Sequence, residues 1–130
     1  MARKPAPFEF VFDELDGLDV NTKPMFGCLG MYVGNKIVFI QRLKDSPPED
    51  NGIWLATTTE HHASLKTDFP NMRSITIFGP GPTGWQLLPQ DAEDFESSVA
   101  HACELIRAGD PRIGKIPKSR LPKRKSKTKK

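Results

Sequence analysis

The sequence lacks long apolar runs and contains only two cysteines, Cys28 and Cys103. No stretch approaches the roughly 18 apolar residues that a membrane-spanning helix needs. The two cysteines are far apart and lack the spacing of a disulfide framework or a zinc site, so we expect two free, buried thiols. Acidic residues interrupt the first apolar residues of the chain, which argues against a signal peptide. Together these features predict a cytoplasmic protein without a membrane span.

Acidic residues are also absent from the last part of the chain. From Arg112 onward there are ten basic residues and no acidic one, whereas residues 1–111 hold nine basic against sixteen acidic residues. Such a block of one charge is typical of an interaction tail. We therefore predict an acidic folded domain over residues 8–109 and a basic tail over residues 110–130. The tail contains too few apolar residues to bury a core, so we expect it to be disordered.

The basic tail can bind the phosphates of DNA or RNA, with a steep salt dependence and little sequence preference. The candidate contacts are Lys118, Arg120, Lys123, Arg124, Lys125, Lys127, Lys129 and Lys130. The tail has no aromatic residue, so stacking on single-stranded bases is not expected. The alternative is that the tail only solvates the chain or folds back on the acidic domain, and the sequence leaves both open.

The spacing of apolar residues predicts three helices and five strands. Five apolar residues recur at helical spacing over residues 8–18 and predict the first helix. A second helix is predicted from the capping-box pair Thr57 and Glu60 to about Thr67, and a third from about Asp91 to Gly109. The strands are predicted at the apolar, partly β-branched runs 31–33, 37–40, 53–57, 74–78 and 85–88.

The resulting order, α-β-β-β-α-β-β-α, predicts an α+β fold. Short connections between strands favour an antiparallel five-stranded sheet, and the helices complete a two-layer domain by packing on one face. Residues 37–40 are apolar throughout rather than alternating, so both faces of that strand need cover. Because the helices cover one face only, a homodimer through the other face is a hypothesis.

No motif in the chain indicates catalysis, a cofactor or a metal. Residues 79–84 match the letters G-x-G-x-x-G, but a strand-like run follows instead of a helix, and Pro80 and Pro82 remove two N–H donors that a phosphate would need. His61 and His62 are adjacent and would point about 100° apart on a helix, so they cannot share a metal ion. The acidic residues 91–96 suit a helix start. We therefore expect a non-enzymatic protein with no cofactor and no metal site.

Residues 25–32, Met-Phe-Gly-Cys-Leu-Gly-Met-Tyr, followed by Gly-Asn-Lys at 34–36, resemble the TfoX N-terminal domain family. That family tends to show a Met-Phe-Gly-Gly-x-Gly-like segment, an apolar strand, a turn glycine and a second strand. The resemblance extends over about residues 8–108. It departs at Cys28, where a second glycine is common, and at Pro24, where a basic residue is frequent. In TfoX regulators a second domain follows, and the basic tail stands in its place here.

The resemblance implies the fold and a regulatory or binding role, and it transfers no catalytic residues. The first hypothesis is therefore a regulatory or protein-interaction domain whose protein partner is unknown. The second is a nucleic-acid-associated protein in which the tail supplies affinity and the acidic domain supplies partner choice. An enzyme acting on small molecules ranks third, because the polar residues converge in no motif.

Overall fold

The computed structural model describes residues 7–25, 27–45, 48–76 and 84–116. Its strands are β1 (Val20–Met25), β2 (Cys28–Val33), β3 (Lys36–Arg42), β4 (Gly52–Ala56), β5 (Arg73–Ser74) and β6 (Trp85–Pro89). Its helices are α1 (Phe10–Glu14), α2 (His62–Asp68) and α3 (Phe95–Arg107). The six strands form one antiparallel sheet in the order β1-β2-β3-β4-β6-β5. The predicted α+β class and antiparallel sheet are confirmed, and the order of elements is α-β-β-β-β-α-β-β-α.

The described sheet has six strands rather than the predicted five because β1 precedes the first predicted strand. β1 pairs with β2, and Met25 lies opposite Cys28. Its sequence, Val-Asn-Thr-Lys-Pro-Met, carries little apolar signal since it lies at the edge of the sheet and buries few side chains. Lysine and proline are common at sheet edges, where they discourage pairing with other chains.

The apolar run at residues 37–40 is explained by a β-bulge. Tyr32 pairs with Ile37 while Met31 pairs with Phe39, so Val38 is an extra residue in β3. The bulge turns Val38 and Phe39 toward the helices and leaves Ile37 on the opposite face. Both faces of β3 are therefore buried, as the sequence predicts.

β4 lies in the middle of the sheet, and all its residues are buried. It begins at Gly52, whose φ of +142° lies in a region that favours glycine. A Cβ at this position would overlap the carbonyl oxygen of Leu88 in β6. The close approach of β4 and β6 therefore requires glycine at residue 52.

The main core lies between the sheet and the three helices. α1 is shorter than the predicted helix over residues 8–18, and flanking residues such as Phe8 and Leu15 reach the core from turns. Phe8 packs on Phe95 of α3 with ring centroids 5.1 Å apart. α3 is confirmed but begins at Phe95, so the acidic residues 91–94 precede the helix instead of lying within it.

The middle of the chain departs from prediction at two points. α2 follows a 3-10 turn at Thr59–His61, and Thr58 at the N-cap of this turn makes no side-chain capping bond. The predicted capping box at Thr57 is therefore not formed, although the helix is present. The strand predicted over residues 74–78 is found only at Arg73–Ser74, and residues 77 and 78 lie outside the described part of the chain.

A second apolar cluster lies on the face of the sheet opposite the helices. Ile40 and Trp54 belong to this cluster and are fully buried within one chain. The 3-10 turn Pro48–Asp50 lies against it, because the Trp54 indole N–H donates to the Asp50 carbonyl oxygen at 2.9 Å. The Asp50 carboxylate accepts hydrogen bonds from the backbone N–H and hydroxyl of Thr76. These apolar side chains are not available to a second copy of the chain, so the homodimer hypothesis loses its original reason.

Residues 110–116 pack on the domain, although the sequence assigns them to the tail. Ile113 is only 2% exposed and belongs to the main core. The predicted boundary between residues 109 and 110 therefore falls inside the packed part of the chain. We call residues 110–116 the strap. The rest of the predicted tail, residues 117–130, lies outside the described residues.

Backbone hydrogen bonds hold the strap at one end of the sheet. Lys115 exchanges two backbone hydrogen bonds with Ile37, at 2.8 and 2.9 Å, and the Gly114 N–H donates to the Ala56 carbonyl at 2.7 Å. Ile37 and Ala56 lie beyond the last pair of the β3–β4 ladder, so the strap bonds backbone groups that this ladder does not use.

Candidate functional site

A groove lined largely by apolar residues lies at the end of the β1–β2 hairpin. Its volume is about 330 Å³, which is at the small end of the range of roughly 300–1,000 Å³ for ligand sites. We call it the hairpin groove. The residues that line it are Pro7, Pro24, Gly27, Cys28, Leu29, Gln41, Leu43 and Lys44.

The floor of the hairpin groove is a row of residues across three strands. Pro24 in β1 pairs with Leu29 in β2, which pairs in turn with Gln41 in β3. Paired residues in adjacent strands have side chains on the same face. Leu43 follows the end of β3 and is 51% exposed, a high value for a large aliphatic side chain. The groove thus has a floor of strand residues, and residues outside the strands form the rest of its lining.

The Gln41 side chain, which forms part of this floor, is held by contacts within the chain. The side chain is fully buried, its Oε1 accepts the Phe8 backbone N–H at 2.8 Å, and its Nε2 lies 3.1 Å from the Met31 sulfur. Both polar ends of the amide are therefore occupied within the chain. Gln41 holds the N-terminal segment against the sheet and is not available to act on a ligand.

Among the described residues that line the groove, Lys44 alone carries a formal charge. Its backbone is fixed by Asn51, whose side chain accepts the Lys44 N–H at 2.9 Å and donates to the Lys44 carbonyl at 2.8 Å. The ammonium group extends toward Gly27, where a Cβ would lie 2.8 Å from Nζ. This ammonium makes no ion pair or hydrogen bond with a described residue. The groove therefore combines apolar walls with one positioned, unpaired cation.

Cys28 is the one cysteine among the described residues that line the hairpin groove. Burial raises the pKa of its thiol, and the positive charges of Lys44 and Arg42 oppose this rise without reversing it. A thiol with a raised pKa is protonated at neutral pH and is a poor nucleophile. The groove is therefore better suited to binding than to covalent chemistry.

A second polar cluster, which the sequence reading missed, joins α2, α3 and the strap. The Arg112 guanidinium pairs with Asp110 at 2.9 Å and with Asp68 at 2.8 Å, and it donates to the Ser64 hydroxyl at 2.6 Å. His101 lies 3.5 Å from the other carboxylate oxygen of Asp68. The hydrogen bonds from Arg112 lower the pKa of Asp110, and Asp110 in turn raises the pKa of Arg112. These groups bind one another, so the cluster anchors the strap.

The short spacing of the two strap residues in this cluster, Asp110-Pro111-Arg112, was the one available signal for it. Because the sequence analysis assigned Arg112 to the basic tail, it did not predict the ion pair between Arg112 and Asp110. Asp68, in contrast, is brought near Arg112 only by the packing of α2, and no sequence pattern could have indicated that contact.

The structure separates the other residues that the sequence analysis weighed. His61 and His62 lie at the start of α2, whereas His101 lies on α3. Cys103 is buried on α3, Cys28 lines the hairpin groove, and neither cysteine forms a disulfide in the described part of the chain. Within the described ranges, no group of three or more His, Cys, Asp or Glu side chains is placed to hold a metal ion.

The predicted nucleic-acid contacts fall in a part of the chain that the structure does not describe. They are Lys118, Arg120, Lys123, Arg124, Lys125, Lys127, Lys129 and Lys130. The glycine- and proline-rich segment 79–83 also lies outside the described residues. None of the helices in the described part is long and apolar enough to cross a bilayer.

Comparisons of the chain with protein-family models, with curated proteins and with solved structures find no match. The resemblance of residues 25–36 to the TfoX N-terminal domain therefore stays a prediction from those residues. Three of the residues that line the hairpin groove, Gly27, Cys28 and Leu29, lie in that segment.

Proposed function

We propose that this chain is a non-enzymatic protein-interaction domain of regulatory type, similar in role to the TfoX N-terminal domain, and that it binds its partner at the hairpin groove. The observation that carries the proposal is the combination of Leu43, 51% exposed beside an apolar floor, with the unpaired ammonium of Lys44. Apolar pockets with a few positioned polar groups are the usual form of a binding site.

The other groups in the groove support binding over catalysis. The Cys28 thiol has a raised pKa, and the Gln41 amide is already bonded at both ends. Neither group is prepared to transfer a proton or attack a substrate. Cys28 and Cys103 form no disulfide in the part of the chain that the structure describes, which fits a reducing compartment, so we place this role in the cytoplasm.

A peptide selection tests the proposal. A phage-displayed library of random 12-residue peptides is selected on the immobilised full chain, and enriched peptides are then measured on Leu43→Ser and on Ile116→Ser. Ile116 is a matched control because it is also an exposed aliphatic residue, at 44%, but it lies in the strap and not in the groove. Both substitutions are at exposed positions and should leave the fold intact.

Enriched peptides should lose affinity for Leu43→Ser and keep it for Ile116→Ser. The expected loss is about fivefold or more, since burying the exposed half of a leucine side chain contributes roughly 1 kcal/mol. Enrichment of no peptide, or equal binding to both variants, would contradict a binding role for the groove.

The alternative function is binding of DNA or RNA phosphates through the basic tail. The observation that favours it is the position of the strap. Arg112 and Lys115 contact the folded domain, and the sequence beyond Ile116 contains eight basic residues and no acidic one. A cationic segment that starts at a fixed point on an acidic domain has the charge pattern of a nucleic-acid-binding tail.

A gel shift with a 30-base-pair DNA and a matched RNA tests this alternative. The full chain is compared with a chain that ends at Ile116, because a chain that ends at Pro111 would lack the core residue Ile113. The full chain should bind and lose at least about tenfold in affinity between 50 and 200 mM salt, while the shorter chain should not bind. Equal behaviour of the two chains would exclude the tail as the binding element.

A further inference from the structure

We infer that the hairpin groove binds a peptide segment of a partner protein in which an aspartate or glutamate lies next to an aliphatic residue. This inference rests on the proposed function and adds the chemistry of the ligand. The apolar floor receives the aliphatic side chain, and the Lys44 ammonium receives the carboxylate.

The charge of the groove differs from that of the rest of the domain. Residues 1–111 carry sixteen acidic and nine basic residues, yet Lys44 is the one charged residue among the described residues that line the groove. Arg42 adds to the positive potential, since both Lys44 and Arg42 lower the pKa of the Cys28 thiol. A carboxylate is therefore attracted to this point and repelled by much of the remaining surface.

The backbone of Lys44 is held before a ligand arrives. Asn51 is 5% exposed and binds both the N–H and the carbonyl of Lys44, and its Oδ1 also accepts the Arg42 Nη1 at 2.8 Å. The backbone from which the ammonium extends is thus held by a buried amide. Less backbone freedom is lost on binding than for a lysine on a mobile loop.

The apolar part of the groove has room for a single aliphatic side chain and its neighbours. Leu29 and Leu43 offer aliphatic surface, and Pro7 and Pro24 limit the groove with rings that lose no rotamer freedom on binding. A groove of this size on a flat sheet suits a short peptide segment better than a folded surface. The basic tail of this chain is a poor occupant, because Lys44 would repel it.

The test uses the most enriched peptide from the selection described above, labelled with fluorescein, and a counterpart in which every Asp and Glu is replaced by Asn or Gln. Binding of both peptides to the full chain, to Lys44→Gln and to Lys36→Gln is measured by fluorescence anisotropy at low salt. Lys36 is an exposed lysine at the other end of β3, about 25 Å away at a rise of roughly 3.3 Å per residue. It is the matched control for charge.

The inference predicts that the acidic peptide binds wild type about threefold to tenfold more tightly than its amide counterpart. This preference should disappear in Lys44→Gln, persist in Lys36→Gln, and decrease between 50 and 500 mM salt. Urea unfolding midpoints equal to wild type would show that both variants fold.

The opposing outcomes separate the inference from the proposed function. If peptides need Leu43 but bind equally well in their acidic and amide forms, the inferred contact between Lys44 and a peptide carboxylate is wrong. The proposed binding role of the groove would still hold. A chain ending at Ile116 that binds the peptide over tenfold more tightly would show that the tail occupies the groove. A concentration-dependent dimer that is lost in Leu43→Ser would assign the groove to a second copy. Each of the last two results also overturns the inference.

Discussion

Replacing Ile113 with alanine is expected to destabilise the whole domain, although the sequence places this residue in a disordered tail. Ile113 lies in the strap and is 2% exposed within the core between the sheet and the helices. Alanine at this position would leave a cavity that the surrounding sheet and helices can only partly fill.

The size of the effect follows from the buried surface. The substitution removes three carbon atoms, at about 0.8 kcal/mol for each buried methylene, and the cavity adds to this loss. We expect the free energy of unfolding to fall by about 2–5 kcal/mol, which corresponds to a decrease in Tm of roughly 10 °C or more. The matched substitution Ile116→Ala, at a residue that is 44% exposed, should cost less than about 1 kcal/mol.

Urea unfolding at equilibrium measures both variants. The fluorescence of Trp54, which is fully buried, reports on the sheet, and far-ultraviolet circular dichroism provides a second probe. Coincident transitions by the two probes would justify a two-state treatment. If Ile113→Ala and Ile116→Ala unfold at the same urea concentration as wild type, the strap is not part of the core and the boundary predicted from sequence is right.

Three further predictions concern other parts of the fold. Gly52→Ala should destabilise the domain by more than about 3 kcal/mol in the same urea assay, because it combines a positive φ with a clash against β6. Gly34→Ala is the control: this glycine also has a positive φ but has open space around it, so the substitution should cost about 1 kcal/mol. The lowered pKa of Asp110 implies a contribution to stability that is present above the usual carboxyl pKa and is lost as pH falls through the lowered value. Asp110→Asn should therefore reduce the free energy of unfolding at pH 7. In urea titrations between about pH 5 and pH 2, the free energy of unfolding should fall less steeply with pH for Asp110→Asn than for wild type. Burial raises the pKa of Cys103 to about 12. Iodoacetamide at pH 8 should therefore label Cys28 first and Cys103 only on unfolding, and mass spectrometry measures both reactions. Faster labelling of Cys103 than of Cys28 would contradict the burial of Cys103.

Local patterns in the sequence predicted the interior strands well. β3, β4 and β6 are buried on both faces, so their apolar residues stand out from the turns that separate them. β1 was missed because an edge strand buries few side chains, and its six residues include lysine and proline. The same local rules could not indicate the short length of α1, since Phe8 and Leu15 reach the core from turns and match helical spacing without being in the helix.

The hairpin groove could be predicted only in part. The Gly-Cys-Leu segment at residues 27–29 was noted for its resemblance to a family, but nothing in it marked Leu43 or Lys44 as neighbours. These residues meet because the registers β1–β2 and β2–β3 align Pro24, Leu29 and Gln41 in one row. The partner of Lys44, Asn51, lies seven residues later, across a loop whose shape the sequence did not indicate.

The sequence by itself determined the α+β class, the interior strands, the existence of the third helix and the strong basic charge that follows the domain. These features depend on spacing, composition and charge, which act over a few residues along the chain. The tertiary structure decided that Ile113 belongs to the core and that Leu43 and Ile116 stay exposed. Those properties depend on contacts between residues far apart in the sequence, and Ile113 shows the difference: its burial comes from a core that residues 11–103 build.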